Sequence, residues 1–60
     1  MTYRITSIMV VSDYLALVKA VFPSFEGEPV TADPMEVIVT FSTEQTPVDL
    51  GPLVKVERIS

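Results

Sequence analysis

Apolar and polar positions alternate with a period of two at the start of the chain. In YRITSIMVV, residues 3–11, Tyr3, Ile5, Met9 and Val11 fall on one side and Ile8 and Val10 on the other, with β-branched and aromatic types dominating. That is the pattern of a strand. Both sides become apolar towards its C-terminal end, which predicts a position covered on two faces rather than an open edge. The spacing then changes. In SDYLALVKAVFP, residues 12–23, helical spacing gathers Tyr14, Leu17, Val18, Val21 and Phe22 into one stripe and leaves Asp13, Ala16, Lys19 and Ala20 on the other side. Ser12 or Asp13 can cap the start and Pro23 stops the end, so a helix of about ten residues is expected, a second strand being the alternative.

FEGEPVTADPME, residues 25–36, reads as a polar connection punctuated by Gly27, Pro29 and Pro34. Asp33-Pro34-Met35-Glu36 resembles a helix N-terminus, with Asp33 as cap, Pro34 at the first helical position and Glu36 placed for a capping box. Val37 to Phe41, VIVTF, is the strongest strand signal in the chain, so at most one helical turn fits before it. Val37, Val39 and Phe41 share one face of this strand, and Ile38, Thr40 and Ser42 the other. LVKVERI, residues 53–59, reads as a partner strand. The intervening STEQTPVDLGP is too long for a tight hairpin turn.

The order β-α-β-β predicts a small α+β domain spanning residues 1–60, with one helix packed across a three-stranded sheet. Such a layer buries a core on one sheet face. The other face, with Ile38, Val10 or Val54 available, and the free edges are then surfaces for a second copy.

Length sharpens that expectation. A domain of sixty residues buries only about 60% of the surface its unfolded chain exposes. With no Cys and no His, neither a disulfide nor a structural zinc site is at hand as a staple. Hydrophobic residues still make up 48% of the chain, including ten Val, four Ile and four Leu, so it should fold, and association between copies accounts for the apolar excess. Asp13 and Lys19 interrupt the most apolar region, so no membrane-spanning segment is expected. The N-terminal apolar run leads into charged residues rather than a small-residue cleavage site, which does not read as a signal peptide. A cysteine-free chain of this kind fits a reducing, cytoplasmic setting.

The same absences weigh against catalysis. Without His or Cys the commonest general base and the strongest neutral-pH nucleophile are missing, and no Ser-His-Asp arrangement can be built. Hydrolytic chemistry would rest on Glu26, Glu28, Asp33 and Glu36, which cluster in one polar loop where solvent rather than burial surrounds them. Those oxygens suit a hard cation, but their spacing lacks the D-x-D-x-D-G pattern, and capping accounts for Asp33 and Glu36. The isolated Gly27 and Gly51 make no phosphate-binding loop. Direct nucleic-acid binding is disfavoured by a net charge of −4 and only four bases, Arg4, Lys19, Lys55 and Arg58. No enzyme, cofactor or metal is expected.

Residues 20–54 contain no base and carry six of the eight acids. With the bases confined to the two ends of the chain, an acidic loop region and a weakly basic sheet are predicted. Complementary potentials of that kind select partners and raise encounter rates, although acidic loops also simply keep an apolar protein soluble. The sequence therefore points to a non-enzymatic protein–protein interaction module, a small acidic inhibitor or adaptor that binds another protein and self-associates as a homodimer or larger assembly. The expected contacts are the acids Glu26, Glu28, Asp33 and Glu36 and the aromatics Tyr3 and Phe25, because aromatic residues concentrate binding energy. Tyr14 is a further aromatic, better explained by packing on the helix. The alternative is a small structural subunit whose function is self-assembly, with YRITSIMVV and LVKVERI pairing between copies.

Overall fold

The computed structural model describes all of residues 1–60. Its elements in chain order are β1 (Thr2–Ser7), α1 (Tyr14–Val21), β2 (Val30–Asp33), β3 (Glu36–Thr40) and β4 (Val54–Arg58). The strands form one sheet in the order β2-β3-β1-β4, and every neighbouring pair is antiparallel. The α+β architecture with a single helix on a sheet holds, and the sheet has four strands where three were expected.

The added strand is β2, part of the stretch read as a loop. Its four residues are all exposed, so no buried face printed the alternation by which strands are read. Asp33-Pro34-Met35-Glu36 is the turn of the β2–β3 hairpin rather than a helix start. An Asp followed by Pro suits the first two positions of a type I turn as well as a cap and first helical position. Here Asp33 Oδ1 accepts the Met35 N–H at 2.8 Å. No non-glycine residue has positive φ, which excludes the primed turns whose twist matches a two-residue hairpin. The mismatch is taken up at once: the register slips between Thr31 and Asp33, leaving Ala32 as an extra residue that bulges from β2.

Helix α1 starts at Asp13, whose carboxylate accepts the Ala16 N–H at 3.1 Å, a cap worth about 1 kcal/mol. It ends at Val21, with Phe22 as its C-cap directly before Pro23. Its stripe is the expected one: Val18 and Val21 are fully buried, Phe22 follows them into the core, and Tyr14 and Leu17 pack at the margin. Beneath it lie Tyr3 and Ile5 of β1 and Val37 and Val39 of β3. Each such side chain contributes roughly 1.5–3 kcal/mol on burial.

Strand β1 is central, so it is no edge and has no free side to pair with a second copy, but only its core face is covered rather than both, and it is shorter than the alternation implied. It ends at Ser7, and the chain leaves the sheet over residues 8–13 to reach the helix on the core face. Residues 41–53 make the second crossover, connecting β3 to β4, which lie parallel on either side of β1. The element order is that of the split β-α-β-β-α-β motif with an irregular segment in place of the second helix. That segment lies on the core face. Val48 N–H donates to Val21 O at 2.8 Å, and Gln45 N–H to the Tyr3 hydroxyl at 2.7 Å. It turns back at Gly51, whose φ of +90° only glycine adopts without strain.

Tyr3, Phe22, Phe25 and Phe41 close one end of the core, with ring centroids 4.9–5.8 Å apart in tilted or edge-on pairs. No helix is long and apolar enough to cross a membrane.

Candidate functional site

Register decides which side chains reach solvent from the uncovered sheet face. Residues directly opposite share a face, so Val54 and Val56, opposite Ser7 and Ile5, point to the core. Val54 is therefore not on the free face where it was expected, and Val10 lies beyond the strand altogether. What the free face carries is mostly polar: Thr2, Arg4 and Thr6 of β1, with Glu36, Lys55 and Glu57 opposite them. Ile38 and, opposite it on β2, Val30 are its apolar members. Arg4 lies between two carboxylates. Its guanidinium bonds Glu57 and stands 3.6 Å from Glu36.

Of the bases expected to give a basic sheet, Arg4 is thus neutralised locally. Arg58 is held by Glu44 at 3.0 Å, leaving Lys19 and Lys55 as the cations without an ion pair.

The predicted acidic group does not form one site. Glu26 and Glu28 are exposed in the segment between α1 and β2. Phe25, next to them, packs against Phe41 just past the end of β3. Asp33 lies at the opposite end of the sheet in the hairpin turn, and its backbone carbonyl accepts the Tyr14 hydroxyl at 2.9 Å. Glu36 is on the free face beside Arg4. No group of three or more His, Cys, Asp or Glu side chains converges to hold a metal ion.

The two aromatics expected at the surface are buried. Tyr3 is 3% exposed and Phe25 5%, because alternation places Tyr3 on the core face and Phe25 completes the aromatic cluster. Neither ring is available to a partner. The Tyr3 hydroxyl is satisfied internally, donating to Gln45 O at 3.2 Å.

A different set of side chains takes their place. Ile8, Met9 and Val10 are 64%, 65% and 73% exposed, three consecutive large apolar residues in the loop that leaves β1. The loop is fixed by its backbone: Ile8 N–H donates to Leu53 O at 3.1 Å and Val11 N–H to Pro34 O at 3.1 Å. Ser7 N–H bonds Met35 O at 2.8 Å and Ser7 Oγ accepts the Met9 N–H at 3.1 Å. These bonds set Met35 and Leu53, themselves 43% and 51% exposed, on either side of the triplet. Five apolar side chains thus form a tip at one end of the sheet. Single exposed apolar residues are ordinary, whereas contiguous ones mark contact surfaces. The tip has an acidic border in Asp33, in the turn with Met35, and Asp13, at the start of the helix that Tyr14 ties to Asp33.

Ile8, Met9 and Val10 were missed because continued alternation read them as strand. The signal against that reading is the Asp13 cap: a helix beginning at residue 14 must cross onto the core face, and the chain needs several residues off the sheet to do so.

Comparison with protein-family models, with curated proteins and with solved structures gave no match.

Proposed function

We propose that this chain is a non-enzymatic protein-binding module, an acidic inhibitor or adaptor acting in a reducing, cytoplasmic setting, and that it engages its partner through the apolar tip. The observation that carries the reading is the run Ile8-Met9-Val10, exposed by more than half at each residue although the chain has a buried core to place such residues in. Methionine is an adaptable packing group that recurs at surfaces accepting varied apolar partners. Asp13 and Asp33 border the tip, and the chain as a whole carries −4. The partner that fits is therefore a protein with an apolar recess edged by Lys or Arg. Burial of the tip supplies affinity and the acids supply orientation and encounter rate. Glu26 and Glu28 add to the long-range field and make no contact in this reading.

The test compares the wild type with Met9→Asp/Val10→Asp, both substitutions lying in exposed positions that leave the core intact. Proteins retained from a lysate of the source cells by the wild type and lost by the variant would be purified and their binding measured directly. A partner whose Kd rises at least about a hundredfold in the variant, and also rises with salt, supports the reading. If the variant keeps every partner of the wild type with unchanged affinity, the tip is not the contact.

A further inference from the structure

The two edges of the sheet are built differently. Strand β2 is bracketed by Pro29 and Pro34 and bulged at Ala32, devices that keep an edge from pairing with another chain. Strand β4 has no bulge, and the one proline near it, Pro52, lies two residues before its start. Ile8 N–H donates to Leu53 O at 3.1 Å and Ile59 N–H to Thr2 O at 2.8 Å. In the alternation of an antiparallel ladder, Leu53, Lys55, Glu57 and Ile59 therefore turn their backbone groups towards β1, and Val54, Val56 and Arg58 turn theirs outward. Apart from a long contact from Val54 N–H to Gly51 O at 3.5 Å, those outward groups make no hydrogen bond within the chain.

We infer that β4 pairs antiparallel with β4 of a second copy about a two-fold axis through Val56, joining the two sheets into one of eight strands. The charges select this register. A two-fold pairing that sets at least two outward residues of β4 opposite outward residues can be centred at Lys55, Val56 or Glu57, whereas centring at Val54 or Arg58 pairs only one within the strand. Centring at Lys55 puts that lysine opposite its own copy, and centring at Glu57 does the same with a carboxylate. Centring at Val56 places Lys55 opposite the second copy's Glu57, and this happens twice. Opposite charges across a strand pair stabilise it and like charges directly opposite destabilise it. These pairs occupy the non-hydrogen-bonded positions, where facing side chains are closest.

The single chain leaves these groups ready. Lys55 makes no ion pair, while Arg4 is shared between Glu36 and Glu57, so the free face holds one carboxylate more than its arginine balances. On the core face, an open groove of about 210 Å³ lies against the same edge, lined by Pro47, Val48, Leu50, Val54 and Val56 together with Asp49. The pairing sets Val56 against its copy and brings the two grooves side by side, covering apolar surface on the core side while the charges pair on the other. Arg58, opposite Val54 in this register, keeps its own carboxylate partner in Glu44. Because the joined strands run in opposite directions, the two apolar ends of the assembly point away from each other.

Sedimentation velocity across a hundredfold dilution tests the proposal. The wild type is expected to be a reversible dimer. Lys55→Glu and Glu57→Lys should each raise the dimer Kd at least about tenfold. Their equimolar mixture should dimerise again, because the acidic edge of one variant meets the basic edge of the other. Amide exchange on the wild type gives a reading that needs no variant: the Val56 and Arg58 amides should slow as concentration rises, and those of β2 should not. A wild type monomeric up to about 1 mM, single variants that dimerise as the wild type does, a mixture that stays monomeric, or β4 amides indifferent to concentration would each overturn it.

Discussion

Tyr3 and Gln45, forty-two positions apart in sequence, bond each other twice: the Tyr3 hydroxyl accepts the Gln45 N–H at 2.7 Å and donates to the Gln45 carbonyl at 3.2 Å. This pins the irregular crossover between β3 and β4 onto the core. The ring of Tyr3 packs against Phe22 and Phe41 at 5.0 and 5.8 Å, so one side chain joins the core to the segment that covers it. Tyr3→Phe keeps the ring and strands the Gln45 backbone groups. It is expected to cost about 1–2 kcal/mol, read as a lower urea midpoint at unchanged m-value, with faster amide exchange confined to residues 43–48.

How legible this arrangement was depended on whether a face was buried. The helix could be read to within two residues because Asp13 caps it, Pro23 follows it and Val18, Val21 and Phe22 recur at helical spacing. Strand β3 was legible from its run of β-branched residues, Val37 to Thr40, and β4 because Val54 and Val56 alternate with the charged Lys55 and Glu57. Strand β2 was hidden because it has no buried face, and its turn because Asp-Pro serves a hairpin as well as a helix start. The end of β1 was hidden because apolar residues continued past it. For the candidate site, residue type revealed the acids but not their dispersal to opposite ends of the sheet, which strand β2 imposes by carrying the chain from Glu28 to the hairpin turn at Asp33. Tyr3 and Phe25 could not be placed by residue type, since aromatic character alone does not tell a binding anchor from a core ring.

The aromatic cluster should be the least tolerant part of the molecule. Phe22 is almost fully buried and its ring meets Tyr3 and Phe41 at 5.0 and 4.9 Å. Phe22→Ala is expected to cost about 3–5 kcal/mol. A sixty-residue domain has a total stability of only about 3–9 kcal/mol. This single change should therefore leave the chain largely unfolded at 37 °C, checked by loss of the far-UV dichroism that Phe22→Leu, which keeps most of the volume, retains.

The two aspartates flanking the tip should act through different elements. Asp13→Ala removes the helix cap and should cost about 1 kcal/mol. Asp33→Ala removes the carboxylate that holds the Met35 N–H at 2.8 Å while leaving the backbone carbonyl that accepts Tyr14. A loss below about 1 kcal/mol is expected there, with amide exchange quickened at Met35 and Glu36. If either substitution weakens partner binding far more than it loosens the fold, its carboxylate meets the partner directly.

Arg4 offers a sharper case because its two roles have opposite signs. In the single chain its guanidinium joins the free faces of β1, β3 and β4 through Glu36 and Glu57. All three side chains are partly exposed, so screening holds each pair to roughly 0.2–1 kcal/mol. Arg4→Gln should therefore lower stability by no more than about 1 kcal/mol, by less in high salt, and a double-mutant cycle with Glu57→Gln should recover the coupling. Across β4–β4 pairing the same arginine competes with the second copy's lysine for Glu57 and repels that lysine. Arg4→Gln should then tighten the dimer, lowering its Kd about twofold to tenfold across the two symmetric contacts. Unfolding and sedimentation on this one variant should thus move in opposite directions. Parallel losses in both would mean that Arg4 supports the edge strand and does not contend for its charge.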